Sequence, residues 1–518
     1  MMKKLPIGIQ TFSEIINENY CYVDKTRIIY ELINSGKYFF LSRPRRFGKS
    51  LLIDTIKDLF EGRDELFKGL WIEDKWDFSQ KHPVIKIDFG AGIPKERVEL
   101  NKRIREILEI NQEKLGIKCG FKTIAGCFNE LIMKAALKYK ERVVVLIDEY
   151  DKPILDNIET PEIAQQMREE LKNLYSVLKS TDAYIKFVML TGVSKFSKVS
   201  LFSGLNNLMD ITLDERYATI CGYTQNDLET VFKEYLVDVD LDKVRLWYNG
   251  YSWLGEKVYN PFDILLFLGS YGKEYKNYWF ETGSPTFLMK LLKERKYYIP
   301  EFEEIRAGEE LIGAFDVDFI EPAALLFQTG YLTIKGKKQI GARIEYKLTY
   351  PNLEVKSSLN NYILFYLNKD AQTKENTQSR VYEAIEDLDF ELLKDTFSRL
   401  FAAIPYEWYI NNQLDKYEGY YASIFYAVFA SLGYDLEVEE STNRGRIDMA
   451  IKTDKVVIIF EFKVVERESG QNTALEQIKD RKYYEKYLTS GKGVYLVGIE
   501  FSKAERNITR FDWKLVSC

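Results

Sequence analysis

The stretch Arg43–Ser50, RPRRFGKS, decides the fold of this chain. It follows the apolar run Tyr38–Leu41 and leads into Leu51–Phe60, in which apolar residues recur at helical spacing. The pattern predicts a strand, a loop and a helix, which is the layout of a phosphate-binding loop. In such a loop, Gly48 lets the backbone approach a phosphate, and the amide groups at the start of the helix point towards it.

Lys49 and Ser50 would supply the chemistry of this loop. The lysine adds a positive charge beside the phosphates, and the serine hydroxyl can ligate Mg²⁺. The usual pattern, G-x-x-x-x-G-K-[ST], is broken at its first position, where Arg43 stands. A basic surface turn that contains Gly-Lys-Ser by chance is therefore the alternative for this octapeptide alone. The residues that we predict to bind the nucleotide here are Arg45, Arg46, Phe47, Gly48, Lys49, Ser50 and Leu51.

A second stretch, Arg142–Asp151, supports a nucleotide site. Its run of aliphatic residues predicts a buried strand, which ends in the adjacent carboxylates Asp148 and Glu149. We expect Asp148 to hold Mg²⁺ through water and Glu149 to orient and deprotonate the attacking water. An aliphatic strand that ends in Asp-Glu is common by chance, but one that follows a strand, Gly-Lys-Ser and a helix is not.

Alternating strand and helix patterns surround these two stretches. They cover His82–Phe89, 95–115, 121–140, 161–179 and Tyr184–Lys195. Such alternation predicts a parallel sheet with helices on both faces. The last of these strands ends in Thr191 and Ser194, and we predict that one of them senses the γ-phosphate. Simple capping of a helix or turn is the alternative for both residues.

The composition excludes several kinds of chemistry. With 46% hydrophobic and 14% aromatic residues, the 518-residue chain should fold into two to four domains. Its five cysteines are scattered without a C-x-x-C pair, which predicts free cytosolic thiols rather than a zinc cluster or a secreted disulfide framework. The single histidine, His82, nearly excludes Ser/His/Asp and Cys/His catalysis. Any hydrolysis must therefore use carboxylates, lysine and metal.

The sequence also restricts location and partners. Two lysines near the amino end precede no apolar segment, and no uncharged apolar run reaches the ~18 residues of a membrane span. We therefore expect a soluble, cytoplasmic protein without a membrane partner. The net charge of −6 offers no general attraction to nucleic acid or anionic lipid. The oligomeric state is left open.

The middle of the chain changes character. Residues 220–299 show short helical patterns broken by Gly and Pro, which suits a lid packed over a nucleotide. Further on, a helical pattern at Glu321–Thr329 precedes a hairpin pattern, which favours a winged-helix-like module. Such modules bind DNA or brace other domains, and bracing is favoured here because no basic helix is evident.

The last part of the chain carries a second set of chemical groups. Two strand patterns, Gly445–Ile451 and Val456–Val464, are joined by a short turn. Asp448 lies on the first strand. Glu461 and Lys463 lie two residues apart on the second, so their side chains point the same way. Two acids and a lysine can therefore converge.

These groups suit metal-dependent hydrolysis of a phosphodiester. Asp448 and Glu461, with Glu418 from the preceding helix, would bind Mg²⁺ through oxygen ligands, and Lys463 would orient the attacking water or the phosphate. Solvated charges on a hairpin are the alternative. A helical pattern and a further core strand follow. Helix, hairpin, helix and strand predict a restriction-endonuclease-like core.

Over nearly its whole length, the chain resembles the bacterial AAA-ATPase-like family with a C-terminal PD-(D/E)XK nuclease-superfamily domain. The segments that carry the resemblance are Tyr22–Thr26, Arg43–Ser50, Leu146–Tyr150, Thr191–Ser194, Trp247–Tyr251, Gly445–Asp448 and Glu461–Lys463. The resemblance implies ATP and Mg²⁺ as cofactors, with Mn²⁺ as an alternative at the second site, and it implies Gln477 as an auxiliary residue there. Two departures are Ile447, where a proline is expected, and Arg481, where a tyrosine is expected.

The predicted fold is therefore α/β, with a P-loop NTPase core over 1–219, a helical lid over 220–299, a winged-helix-like module over 300–375 and a nuclease-like domain over 376–518. The leading hypothesis is an ATPase coupled to a metal-dependent nuclease that acts on DNA or RNA. The alternative is a nucleotide-dependent switch or sensor whose nuclease-like domain only binds nucleic acid or a partner. A small-molecule kinase is disfavoured because the position of Glu149 points to hydrolysis.

Overall fold

The computed structural model describes residues 2–195, 205, 207–279, 286–294, 298–313, 320–368, 370–404, 418–442, 445–466 and 472–517. The chain forms two compact units. The first comprises Met1–Trp279 and Arg306–Asn352, and the second comprises Phe280–Ile305 and Leu353–Cys518. A parallel sheet in the first unit and a mixed sheet in the second confirm the predicted α/β class. The finer division into four domains stays a prediction.

The first unit begins with alternating helices and strands. Up to residue 210 its elements are α1 (Phe12–Asn17), α2 (Thr26–Ser35), β1 (Tyr38–Ser42), α3 (Lys49–Phe60), β2 (Val84–Asp88), α4 (Arg97–Leu115), α5 (Ile124–Tyr139), β3 (Val143–Asp148), α6 (Lys152–Leu155), α7 (Pro161–Ser180), β4 (Ile185–Gly192) and β5 (Met209–Asp210). β1 and β3 are buried along their whole length, and β4 nearly so. Their sequences are apolar on both faces because helices cover both sides of a parallel sheet.

The order of the strands positions the first candidate site. In the described residues the sheet runs β2-β3-β4-β1-β5, with every pair parallel. β4 therefore lies between β1, which leads into the phosphate-binding loop, and β3, which ends at Asp148. Asp88 pairs with Asp148, and Leu41 pairs with Thr191. Because parallel strands end at a common edge, the loop, both aspartates and Thr191 share one side of the sheet.

Shorter elements complete the first unit. They are α8 (Gln225–Val231), α9 (Leu241–Tyr248), β6 (Asn249–Tyr251), β7 (Val258–Tyr259), α10 (Pro261–Gly269), β8 (Ile305–Gly308), α12 (Glu309–Gly313), α13 (Pro322–Thr329), β9 (Thr333–Ile340) and β10 (Arg343–Thr349), with α11 (Thr286–Glu294) preceding β8 in the chain. Thr224 and Asp227 form a capping box that begins α8. The predicted helix and hairpin are confirmed by α13, β9 and β10, and the structure adds β8 to form a sheet in the order β8-β10-β9.

The second unit is built around a mixed sheet. After α11, its elements are α14 (Leu353–Asn368), α15 (Ala371–Asp387), α16 (Phe390–Ala403), α17 (Glu418–Ser431), β11 (Asp435–Thr442), β12 (Gly445–Lys452), β13 (Val456–Val465), α18 (Thr473–Arg481), β14 (Gly493–Ser502) and β15 (Ile508–Ser517). The described strands follow chain order from β11 to β15, and only β13 and β14 are parallel. The predicted helix, hairpin, helix and strand are confirmed, and β11 and β15 were not predicted.

Helix α17 forms the centre of this unit. All its residues from Tyr420 to Ser431 are buried. The ring of Phe425 stacks on Phe397 with centroids 3.6 Å apart, and Phe429 packs on Phe460 of β13. The packing holds Glu418, at the start of α17, beside the sheet. Across the described ranges, no helix is both long enough and apolar enough to cross a membrane.

One expectation about the cysteines is wrong. Cys119 and Cys127 form a disulfide, with their Cα atoms 5.3 Å apart. The bond links the loop after α4 to the first turns of α5. Cys21 and Cys221 are buried free thiols, as expected. The pair was missed because a separation of eight residues belongs to no common sequence motif, and the turn alone brings the sulfurs together.

Candidate active sites

The phosphate-binding loop turns sharply between β1 and α3. Gly48 has φ +88° and Arg46 has φ +69°, both in the left-handed region. A Cβ built on Gly48 would meet no atom within 4 Å, so the backbone angle rather than crowding favours glycine there. Ser50 and Leu51 lie partly exposed in the first turn of α3. The loop therefore presents backbone and the start of a helix to open space.

Lys49 is buried inside the loop. Its Nζ donates hydrogen bonds to the carbonyl oxygens of Arg43 (2.9 Å) and Pro44 (2.8 Å). Burial lowers the pKa of Lys49, and the charges of Asp148 and Asp151 oppose that shift. The ammonium group thus lies between its own loop and the acidic residues that follow β3.

Arg43, which stands where a glycine is usual, has a structural role. It is fully buried, and its guanidinium donates to the carbonyl oxygens of Thr212 (3.0 Å) and Tyr217 (3.2 Å). The same group stacks over the ring of Trp253 at 4.1 Å. Arg43 therefore ties the loop to later parts of the unit. Sequence reasoning noticed the departure but found no role for it, because all three contacts are distant in the chain.

The other loop residues that we predicted to bind the nucleotide differ in how exposed their side chains are. The ring of Phe47 is buried between Tyr251 and Trp253, at 4.8 and 5.3 Å between centroids. The structure therefore gives the side chain of Phe47 a packing role. Arg45 and Arg46 are exposed, and the guanidinium of Arg46 lies 4.3 Å from the ring of Phe262.

The acidic residues at the end of β3 are held by hydrogen bonds. A carboxylate oxygen of the buried Asp148 accepts from the hydroxyl of Thr191 (2.6 Å) and from the amide of Glu149 (3.0 Å). Glu149 has φ +51°, an uncommon conformation for a residue with a side chain. Burial and Asp148 raise the pKa of Glu149, while Lys49 lowers it. The backbone angle turns this side chain away from the line of the strand.

Asp88 was missed by sequence reasoning. It lies on β2 in register with Asp148 and accepts a hydrogen bond from the amide of Gly90 (2.7 Å). A Cβ built on Gly90 would lie 2.9 Å from the carboxylate of Asp88 and 3.4 Å from that of Glu149. The two carboxylates therefore flank this glycine. The sequence signal that could have identified Asp88 is a strand pattern that ends in Asp, because the ends of neighbouring parallel strands lie together.

The polar residues at the end of β4 contact the acidic groups. Besides the bond from Thr191 to Asp148, the amide of Ser194 donates to the carboxylate of Asp151 (2.6 Å). The hydroxyl of Tyr150 donates to the carbonyl of Ser194 (3.0 Å). Burial raises the pKa of Asp151, and the bond from Ser194 opposes the shift. Thr191 thus orients Asp148, and Ser194 orients Asp151.

The second site lies where β12 and β13 separate. Asp448 accepts a hydrogen bond from the amide of Phe462 (2.9 Å), and Glu418 accepts one from the amide of Val464 (3.2 Å). Both carboxylates line a cleft of about 530 Å³. The other polar groups of the cleft are Tyr298, Glu301, Glu466 and Lys503.

Glu461 lies on the opposite face of β13 from Phe462 and Val464. It is only 2% exposed, and its carboxylate accepts a hydrogen bond from the side-chain amide of Gln477 on α18. Burial, followed by the charge of Asp448, raises the pKa of Glu461 from 4.5 to about 8. Lys463 and Arg481 oppose the shift. Glu461 is thus near the other predicted residues but covered by α18.

Lys463 shares the face of β13 with Glu461. Its Nζ donates to the carbonyl of Thr473 (3.2 Å) at the start of α18. The predicted residues therefore surround one end of β13, with Asp448 and Glu418 open to the cleft. In the part of the chain that the structure describes, no three His, Cys, Asp or Glu side chains form a ready-made metal cluster. Mg²⁺ commonly completes its shell with water and substrate phosphate oxygens.

Fold and residues together define a class of protein. The first unit has the sheet, Gly-Lys-Ser loop and Asp-Glu strand end of a P-loop ATPase domain, and residues 6–202 match the family model of predicted AAA-ATPases. The second unit has the sheet and Glu-x-Lys strand of the PD-(D/E)XK nuclease superfamily, which residues 416–511 match. These are nucleotide-binding and nuclease-like domains.

The chain belongs to the AAA-ATPase-like family with a C-terminal PD-(D/E)XK domain, as its resemblance implied. It is 51% identical over 512 residues to the uncharacterized protein in the vnfD 5' region of Azotobacter chroococcum mcd 1. The match covers 98% of each chain. The similarity therefore extends over nearly the whole length of both chains.

Proposed function

We propose that the first unit binds and hydrolyses ATP with Mg²⁺. The observation that carries this proposal is the position of Lys49, Asp148 and Glu149 at one edge of the sheet, where Asp148 is the charge that most favours the protonated Lys49. A lysine beside two carboxylates that oppose the effect of burial on its pKa suits a nucleotide whose phosphates contact the lysine and whose metal ion contacts the carboxylates.

Each residue of this site would have a separate task. Lys49 would exchange the carbonyl groups of Arg43 and Pro44 for phosphate oxygens. Ser50 and Asp148 would hold Mg²⁺, which neutralises charge on the phosphates. Glu149 would take the proton of the attacking water, and its raised pKa improves it as a base. The hydroxyl of Thr191 would keep Asp148 oriented.

For the second unit we propose metal-dependent hydrolysis of nucleic acid phosphodiesters. The supporting observation is that Asp448 and Lys463 lie close enough to Glu461, at the end of β13, to act on its pKa, which Asp448 raises and Lys463 lowers. Asp448, Glu461 and Glu418 would hold Mg²⁺ or Mn²⁺, which activates water and stabilises charge on the phosphate. Lys463 would orient the water or the phosphate, and Gln477 would hold Glu461.

Two lysine variants test both proposals on purified protein. Lys49→Ala should abolish ATP turnover, and Lys463→Ala should abolish Mg²⁺- or Mn²⁺-dependent cleavage while leaving ATP turnover intact. Lys102→Ala removes an exposed lysine of α4 and should change neither activity. The substrates are single- and double-stranded DNA and RNA, each with and without ATP. ATP turnover that survives Lys49→Ala contradicts the first proposal, and cleavage that survives Lys463→Ala contradicts the second.

A nucleotide-dependent switch is the second candidate function. It is favoured by the burial of Glu461, which raises the pKa of this carboxyl group to about 8. A second unit of this kind would bind nucleic acid or a partner without cutting it. Binding of the same substrates without cleavage in either metal would support this function. A cytoplasmic location belongs to both proposals.

A further inference from the structure

A buried carboxylate on β14 has no role in the sites described so far. Glu500 is 0% exposed, although burial of a carboxylate is costly unless other groups compensate its charge. It pairs in register with Lys463 of the neighbouring parallel strand. Residues in register on parallel strands point to the same face of a sheet, so Glu500 and Lys463 share the face that α18 covers.

One residue connects Glu500 to Lys463. An oxygen of Glu500 accepts hydrogen bonds from both the amide (2.6 Å) and the hydroxyl (2.6 Å) of Thr473. The carbonyl of the same Thr473 accepts the hydrogen bond from Nζ of Lys463. Glu500 therefore fixes the peptide group whose oxygen holds the lysine.

The start of α18 has a separate cap. Asn472 accepts hydrogen bonds from the amides of Ala474 and Leu475, and its own side-chain amide donates to Gly498 (2.8 Å) and Asp512 (3.0 Å). Asn472 thus serves the usual needs of a helix end. The helix end does not need Glu500 as a cap. The two hydrogen bonds from Thr473 to Glu500 instead fix the position of Thr473.

A neutral side chain could accept the same hydrogen bonds from Thr473, and burying it would cost less desolvation free energy than burying a carboxylate. The charge of Glu500 is useful because cations lie on both neighbouring strands: Lys463 is its partner on β13, and Arg510 of β15 places Nε 3.9 Å from its second oxygen. Glu500 is thus flanked by a cationic side chain on each neighbouring strand, and its bonds to Thr473 fix the carbonyl group that holds the lysine.

We propose that Glu500 is a positioning residue of the second site, acting through Thr473 to hold the ammonium group of Lys463 beside Glu461. The proposal rests on the nuclease function proposed above. Residues that orient catalytic groups from behind typically contribute about 10–100-fold to activity. Because Glu500 is fully buried and would act through Thr473, its loss should lower kcat and leave KM within about 3-fold.

The test compares Glu500→Ala and Glu500→Gln with a matched control, Asp512→Asn. Asp512 contacts the same end of α18 through Asn472 but does not contact Thr473. Two quantities are measured on the full chain: cleavage kinetics with Mn²⁺, and the rate at which acetic anhydride acetylates Lys463, followed by mass spectrometry. Thermal unfolding identifies any variant that fails to fold.

We expect Glu500→Ala to lower kcat about 10–100-fold and to raise the acetylation rate of Lys463 several-fold. Glu500→Gln keeps an oxygen for Thr473 and should show a smaller loss, which still decides the outcome if the alanine variant does not fold. Asp512→Asn should match the wild type in both measurements. An unchanged acetylation rate in both Glu500 variants, or an equal loss of kcat in Asp512→Asn, overturns the proposal.

The labelling measurement separates this proposal from the nuclease function. A wild-type chain that cuts none of the substrates overturns the nuclease function and, with it, a catalytic purpose for Glu500. If the acetylation of Lys463 still responds to Glu500 but not to Asp512, the positioning contact itself is supported. If cleavage is normal and acetylation does not respond, only the role of Glu500 is lost.

Discussion

The two candidate sites differ in the groups that surround their buried carboxylates. At the edge of the parallel sheet, Asp148 accepts two hydrogen bonds, and Lys49 supplies positive charge from within the loop. At the end of β13, Glu461 accepts a hydrogen bond from the neutral amide of Gln477, and burial raises its pKa to about 8. Both sites carry counter-charges, but at the second site Lys463 and Arg481 do not overcome the effect of burial on the pKa of Glu461.

The two candidate sites therefore differ in how strongly nearby cations offset the burial of a glutamate. Burial also raises the pKa of Glu149, but Lys49 opposes that shift from the same loop. Lys463 opposes the shift of Glu461 while its ammonium group is bound to Thr473. We therefore expect the nucleotide site to be formed in the free chain and the second site to depend on metal and pH.

The largest expected effect is at the nucleotide site. Glu149→Gln should lower ATP hydrolysis about 10²–10⁴-fold, because it removes the base that accepts the proton of water. ATP affinity should stay within about 3-fold of the wild type, since Lys49 and Ser50 remain. Phosphate release and calorimetric titration with ATP measure the two quantities.

Asp88→Asn is the matched control, because Asp88 flanks the same Gly90 without following β3. It should cost much less in hydrolysis than Glu149→Gln. An equal loss of ATP hydrolysis in the two variants would mean that Glu149 and Asp88 act only through their total negative charge.

The second prediction concerns pH. The pKa of Glu461 is raised from 4.5 to about 8 in the folded chain, so its contribution to stability is full below pH 4.5 and is lost as pH rises through about 8. Glu461→Gln cannot ionise. Without metal, the variant should therefore unfold at the same temperature as the wild type near pH 5. At pH 9 it should be more stable by on the order of 5 kcal/mol, which corresponds to a shift from 4.5 to about 8.

Mn²⁺ provides a second test of the ionisation of Glu461. At pH 8 the ion should stabilise the wild type, because it replaces the proton on Glu461, and it should stabilise Glu461→Gln much less. Thermal unfolding in EDTA and in Mn²⁺ from pH 5 to 9 provides the measurement. Parallel pH curves for the two proteins would show that Glu461 ionises normally in the folded chain.

The third prediction concerns the contacts through which Arg43 holds the phosphate-binding loop in place. Arg43→Lys should lower the free energy of unfolding by about 2–3 kcal/mol, because lysine cannot bond Thr212 and Tyr217 while stacking on Trp253. Urea unfolding measures the change. Arg46→Lys, at an exposed position of the same loop, should change the stability by less than about 0.5 kcal/mol. A loss in Arg46→Lys equal to that in Arg43→Lys would contradict this role.

The smallest expected effect lies away from both sites. Reduction of the disulfide between Cys119 and Cys127 should cost at most about 2.5 kcal/mol of stability, because the loop that it closes is short. ATP turnover and cleavage should be unchanged. Mass spectrometry after alkylation, with and without a reducing agent, counts the free thiols. Full alkylation of both residues in the unreduced, denatured chain would contradict the disulfide.

Local patterns were sufficient for the elements at the centre of each sheet. The aliphatic run before Asp148 and the run before Glu461 are buried strands, because a central strand needs apolar side chains on both faces. The edge strand Asp435–Thr442 is rich in polar residues and was missed. The roles of the individual site residues stay predictions.

What the sequence could not provide depends on contacts between distant segments. Asp88 reaches Glu149, and Glu500 reaches Lys463, only because their strands are neighbours, and strand order is not a local property. Arg43 finds its partners about 170 residues further along the chain. Their chemistry could be recognised in the sequence, but their neighbours could not.

The packing of Trp253 has a practical consequence. Its indole ring contacts Arg43 and Phe47, so it touches the phosphate-binding loop at two points. Indole emission responds to the polarity and motion of its surroundings, and a rearrangement of the loop would therefore alter the fluorescence of this residue. The protein contains its own optical reporter of nucleotide entry, and Trp253→Phe would separate that signal from the emission of the remaining tryptophans.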